Sequence, residues 1–194
     1  AMVMTGILSA RYGSRPIIVA GGLGLTIMLP LLTLAPSPII LAAALFVFGA
    51  SLGAIDVAMN IHAVEVESAS DKPLMSGFHA LFSVGGFAGA GTMTLLLSLN
   101  VNVLMACLLS SVVMLVAILL AWPRLLRTRP DNDGPLFVVP KGAVLLLATL
   151  AGIMFLIEGA ILDWGALLIT ESGKVHATQG GLGYMLFAIA MTVG

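Results

Sequence analysis

Apolar runs of membrane-crossing length recur along this chain, each bounded by glycine, proline or charge. A helix needs about 20 apolar residues to cross a bilayer. The runs Ile17–Leu34, Ile39–Val64, Leu74–Leu99, Val103–Trp122 and Gly142–Ile169 meet that requirement. The tail of another ends near Ala10, and a further one starts near Gly180. Composition separates lipid-embedded helices from the core of a soluble protein. Sixty per cent of the residues are hydrophobic and 9% are charged, whereas a soluble domain carries roughly 25% charge. The sequence therefore predicts an all-α, polytopic transmembrane helical bundle. Length rather than periodicity defines its spans, because a helix in lipid is apolar all round.

The same features exclude several functions. A net charge of -1 gives no reason to expect a nucleic-acid partner. No Gly-x-x-x-x-Gly-Lys-Ser/Thr loop is present for an ATP-driven pump. Gly49-Ala50-Ser51-Leu52-Gly53 does spell Gly-x-Ser-x-Gly, but it lies inside a continuous apolar run and not at a strand-to-helix turn, so it is no nucleophile elbow of a membrane hydrolase. No Cys/His cluster has metal-ligand spacing, and the single cysteine, Cys107, has no internal partner. The chain reads as a non-enzyme without cofactor or metal, in contact with the lipid bilayer. It opens and closes inside apolar stretches and has no basic leader, so a fragment of a longer chain is expected.

Basic residues give an orientation. Arg11, Arg15, Lys72, Arg124, Arg127, Arg129 and Lys141 follow alternate spans, and only Lys174 falls on the other side. Seven of eight on one side predicts that those loops are cytoplasmic. The charged, proline-rich segment 124–141 reads as a flexible cytoplasmic linker. It divides the chain into an N-terminal bundle, 1–123, and the start of a C-terminal one, 142–194.

Ionisable residues within spans are rare and usually face a cavity, a partner or an ion path. Asp56 lies deep in the Ile39–Val64 run. At 100° per residue Gly49, Gly53, Asp56, Asn60, Ala63 and Glu67 fall within roughly an 80° arc. Asp is too short to reach the interface easily, so a binding role outweighs a structural one. Asn60 either orients Asp56 or bridges helices. Glu65 and Glu67 read as a solvated helix end, and His62 as interfacial. In the next run, His79 lies about as far from the intervening loop as Asp56, so the two are expected within roughly 3 Å of one level. His79 is either a proton partner for Asp56 or a histidine bonded to backbone. Gly85 and Gly89 suggest close helix packing. In the Gly142–Ile169 run, Glu158 is about 4 Å from the helix centre. Asp163 lies about 140° from it, so both line one cavity only if the helix breaks, for example at Gly159. Trp164 reads as an interface anchor.

The loop Gly6-Ile7-Leu8-Ser9-Ala10-Arg11-Tyr12-Gly13-Ser14-Arg15-Pro16 resembles a signature of the major facilitator superfamily, Gly-x-x-x-Asp-Arg-x-Gly-Arg-Arg, which joins the second and third spans. Gly6, Arg11, Gly13 and Arg15 match. Ala10 stands in place of Asp, and Ser14 in place of a basic residue. Asp56-Val57-Ala58-Met59-Asn60, the stretch Ser76–Gly86, and Glu158-Gly159-Ala160-Ile161-Leu162-Asp163-Trp164 look like the fucose-permease-like branch and related uncharacterised bacterial inner-membrane members. The resemblance implies an incomplete major facilitator fold, running from the end of span two to part of span eight.

It also implies a secondary transporter of the bacterial inner membrane, monomeric when full length. Its partners would be a small polar solute, possibly a sugar, and a proton. Substrate or proton binding would fall to Asp56, Asn60, His79, Glu158 and Asp163, and gating to Gly6, Arg11, Gly13 and Arg15. Two other readings stand beside it: a non-transporting membrane sensor or scaffold with this fold, and a drug or metabolite exporter.

Overall fold

A computed structural model describes residues 2–70, 72–127, 141–173 and 175–193. Lys174 and most of the expected linker lie outside these residues. Seven α-helices account for most of the described chain: α1 (Met2–Tyr12), α2 (Ser14–Thr33), α3 (Pro38–Ser70), α4 (Met75–Ser98), α5 (Val103–Ala121), α6 (Ala143–Glu171) and α7 (Leu182–Val193). No strand occurs among the described residues. Helices α2, α3, α4, α6 and the α5 segment, extended by a 3-10 turn at Trp122–Arg124, are long and apolar enough to cross a membrane.

Local chemistry sets the boundaries. Gly13 breaks the chain between α1 and α2 with φ 82°, a conformation open to glycine. Ser37 caps α3: its Oγ accepts from the Ile40 N–H at 3.3 Å, and Pro38 takes the first helical position. Asn100, at φ 58°, ends α4 while the Val101 N–H reaches back to the Leu96 carbonyl. Asn102 then caps α5 through the Leu104 N–H at 2.9 Å.

Helix α3 departs from expectation. The segment from Glu65, beyond the apolar run Ile39–Val64, stays helical to Ser70. Both glutamates are half-buried and bonded rather than solvated. Glu67 Oε2 accepts from the N–H groups of Leu74 and Met75, at 2.7 and 2.6 Å, and so caps the chain entering α4.

The described chain forms two compact units. One comprises residues 1–75 and 102–127, the other 76–101 and 141–193. In the first unit α2 packs against α3 and α5, and α1 packs against α3. Close approach of α2 and α3 depends on glycine. A Cβ on Gly21 would lie 2.8 Å from Ile55 Cγ1 and 3.1 Å from the Ser51 carbonyl oxygen. A Cβ on Gly22 would meet Ile118 of α5 at 2.9 Å. Small residues at such seams let helices pack where lipid gives no hydrophobic drive.

Pro30 lies inside α2 and has no N–H for the Thr26 carbonyl four residues back. Ser111 of α5 donates to that carbonyl at 2.9 Å. A neighbouring helix thus satisfies the backbone group that the proline leaves open, as an apolar surrounding requires.

In the second unit α6 packs against α7. Helix α4 meets α7 through Gly86 against Tyr184, Gly91 against Met185 and Thr94 against Gly181. The close packing expected at Gly85 and Gly89 is absent: nothing among the described residues lies within 4 Å of a Cβ built on either.

Candidate functional site

Helix α3 presents two faces. Ser51 and Ile55 touch the glycines of α2, and Ala58 and His62 are buried. These four residues share an arc of about 60°. Asp56 and Asn60 lie roughly opposite, on the stripe that Gly49 and Gly53 continue. Both polar side chains are half-buried. The Asn60 amide donates to the Asp56 backbone carbonyl at 2.8 Å, so it braces the turn that carries the acid. Asn60 therefore supports the backbone beneath Asp56.

His79 belongs to the other unit and is exposed on α4. Helix α6 runs without interruption through Gly159. The break that would bring Glu158 and Asp163 to one cavity does not occur, because an unstrained glycine can remain helical. Glu158 is half-buried and Asp163 exposed, as the angle between them requires. Trp164 is also exposed. Glu158 does have a polar residue within electrostatic range that the sequence did not single out, Tyr184 of α7. Tyr184 is held against Gly86, where a Cβ would lie 3.1 Å from the phenol oxygen. A lone tyrosine in an apolar run gives no spacing signal, so only packing reveals it.

The basic end of the first unit holds a bonded network. Ser14, at the start of α2, is completely buried. Its Oγ donates to Glu65 Oε2 at 2.8 Å and lies 2.9 Å from His62 Nδ1. His62 Nδ1 is also 3.1 Å from Glu65 Oε2. The Leu126 N–H donates to His62 Nε2 at 3.3 Å. Nε2 must then be an acceptor, which puts the ring proton on Nδ1, shared between Ser14 and Glu65. Four residues tie the α1–α2 turn, the end of α3 and the segment after α5. His62, expected as interfacial, is buried there. Its place on the Ser51, Ile55 and Ala58 arc, with Glu65 at i+3, was the available signal.

The residues expected to gate lie in α1, in the α1–α2 turn and at the start of α2. Gly13 donates its N–H to the Ser9 carbonyl at 2.9 Å. Arg15 Nη2 donates to the Trp122 carbonyl at 3.0 Å. Arg11 lies over the Tyr12 ring at 5.4 Å. Gly6 sits within α1, with nothing among the described residues near its Cβ position.

The family model of the Major Facilitator Superfamily matches residues 1–194. The chain belongs to the major facilitator superfamily. It is 49% identical to an uncharacterized MFS-type transporter of Yersinia pestis, over 100% of this chain and 51% of that protein. It is 33% identical to an uncharacterized transporter of Sinorhizobium fredii, over 98% of this chain and 51% of the relative. Identity to the membrane protein MosC of Rhizobium meliloti is 26%, over 100% of this chain and 47% of MosC. The chain thus spans about half the length of the curated relatives it matches. No solved structure matches it.

Against the superfamily's loop pattern, Ser14 replaces a basic residue with a short hydroxyl. That hydroxyl fits the completely buried position, where it serves His62 and Glu65 together. This major facilitator chain is a multi-pass membrane protein, and its loop forms a neutral-hydroxyl, imidazole and carboxylate contact.

Proposed function

We propose that the full-length protein is a secondary active transporter of the bacterial inner membrane, importing a small polar solute together with a proton. Supporting this reading most directly is a half-buried carboxylate, Asp56, in the middle of a membrane-length helix whose next turn is braced onto it by Asn60. A carboxylate held in that position is costly and is retained where it binds something. Asp56 would take up the proton or hold substrate hydroxyls. Glu158, with Tyr184 nearby, would offer a second polar contact from the C-terminal half; His79 and Asp163 would line the route. The two bundles, 1–123 and 142–194 with the chain beyond, would rock about the 124–141 linker in a monomer. Loading neutralises the carboxylate and lowers the cost of reorienting it, so the proton gradient biases the exchange. Gly6, Arg11, Gly13 and Arg15 would shape the cytoplasmic closure.

The test is uptake by full-length protein in proteoliposomes with an imposed pH gradient, across a panel of labelled monosaccharides and other small polar solutes. Asp56→Asn should abolish gradient-driven accumulation while leaving the protein folded. Accumulation undiminished in that variant overturns the assignment. Outward movement of apolar compounds would favour the exporter reading, and binding without any movement the sensor reading.

A further inference from the structure

The surface of the first unit carries a groove that, apart from Arg15, the transport reading does not use. It has a volume of about 430 Å³ and is lined by Arg15, Pro16, Val19, Ala20, Leu23 and Trp122. Five of these residues lie on α2 between its first turn and its middle. From Pro16 to Leu23 the groove follows the helix axis for about 10 Å. Its floor is apolar and its one cation, Arg15, stands at the end where Trp122 also lies. Trp122 is half exposed, on the 3-10 turn that closes α5. Tryptophan at the end of a span sits at headgroup level.

The charge around that end is complementary to an anion. Arg11 lies in the last turn of α1, and Arg124 and Arg127 follow α5, at the same end of the unit. Among the described residues, the carboxylates at the end of α3 are engaged: Glu65 with Ser14 and His62, Glu67 with the Leu74 and Met75 amides. Arg15 spends one N–H of its guanidinium on the Trp122 carbonyl, which fixes its position beside the groove. A guanidinium offers several donors in a fork that matches phosphate oxygens. The start of α2 has no side-chain cap, so its positive dipole end adds to the same field.

We infer that this groove binds one anionic phospholipid of the phosphatidylglycerol class, with its phosphate at Arg15 and one acyl chain along Pro16, Val19, Ala20 and Leu23. The apolar length suits a chain lying parallel to the helix. The cation at its end suits a headgroup, and basic pockets between spans recognise lipids in this way. A free anion would have no use for the apolar length. The inference stands apart from the solute site, because it concerns the Pro16–Leu23 face of α2 and involves neither Asp56 nor Glu158; Arg15 alone is shared with the proposed cytoplasmic closure.

The experiment is native mass spectrometry of the delipidated full-length protein, titrated with phosphatidylglycerol or phosphatidylcholine of matched chains. The first equivalent of phosphatidylglycerol should bind about fivefold more tightly, from roughly one basic residue's worth of attraction. Arg15→Gln should remove that preference. Ala20→Phe, which fills the groove at an exposed position and leaves Arg15 intact, should remove it as well. Millimolar inorganic phosphate should not displace the lipid. Equal binding of the two lipids by the wild-type protein, or a preference that survives Ala20→Phe, overturns the inference. So does displacement by inorganic phosphate, which would mark a free-anion site. If Arg15→Gln fails to fold, Ala20→Phe decides alone.

Discussion

Replacing Ser14 with alanine removes one hydroxyl from a completely buried position and tests the network at the basic end of the first unit. Two contacts disappear: the donor to Glu65 Oε2 at 2.8 Å and the acceptor for His62 Nδ1 at 2.9 Å. His62 can still give its proton to Glu65 at 3.1 Å, so the histidine keeps a partner. The carboxylate loses a donor that nothing replaces. A hydrogen bond to a charged group contributes about 1.5–3 kcal/mol, and one left unmade in a buried position costs a similar amount. Glu65 is only half-buried, which moves the expectation to the low end, at about 2 kcal/mol. Reversible unfolding of the full-length protein in mixed micelles, followed by denaturant titration, measures it. Ser110→Ala is the control, because the Ser110 hydroxyl bonds only its own helix at the Ala106 carbonyl. That control should stay within about 0.5 kcal/mol of the parent. A double-mutant cycle of Ser14→Ala with Glu65→Gln should give a coupling of about 1 kcal/mol. A Ser14→Ala protein as stable as the Ser110→Ala control, with no coupling to Glu65, would refute the network.

Three further outcomes follow from the packing. Ser111→Ala should destabilise the protein by about 1–3 kcal/mol, because the Thr26 carbonyl opposite Pro30 loses its donor; restoring the α2 hydrogen bond with Pro30→Ala in the same chain should recover most of that loss, measured by the same denaturation. Gly21→Ala should cost about 1–3 kcal/mol, since its Cβ would meet Ile55 at 2.8 Å and the Ser51 carbonyl at 3.1 Å, whereas Gly49→Ala, with open space, should be neutral or stabilising. Glu67→Ala should cost about 1 kcal/mol and speed hydrogen exchange at the Leu74 and Met75 amides, while exchange at the Leu104 amide, capped by Asn102, should not change.

How much of this was legible in the sequence follows from which physical rule decided each feature. Bilayer thickness sets helix length, so the ends of α2, α4 and α5 lie within a few residues of the bounds that apolar length alone gives. The same rule misleads beyond the apolar slab. Helix α3 continues through Glu65 and Glu67 because those side chains find donors in Ser14, His62, Leu74 and Met75, none of which is adjacent in sequence. Likewise Gly159 is permissive, not obligatory, for a break, and α6 keeps its backbone bonds through it. A helix in lipid has no strong reason to break unless something else receives the freed carbonyls. Pro30 has such a receiver in Ser111; among the described residues nothing of the kind accompanies Gly159.

The deeper gap concerns which face of a helix meets which neighbour. In water, hydrophobic periodicity answers that; in lipid it is silent, because every face of α3 is apolar enough. Small residues and buried polar ones carry the information instead. Gly21, Gly22 and Gly24 mark where α2 lets α3 and α5 approach, and Ser51, Ala58 and His62 mark the answering face. The Asp56 stripe could be drawn from the sequence alone, yet only this second face gives it direction. With one side of α3 closed by α2, the carboxylate is presented roughly opposite, away from the seam that holds the pair together. A helix so divided holds a rigid contact on one side and a half-buried carboxylate on the other, and in the proposed transporter that is the division of labour a rocking bundle would need.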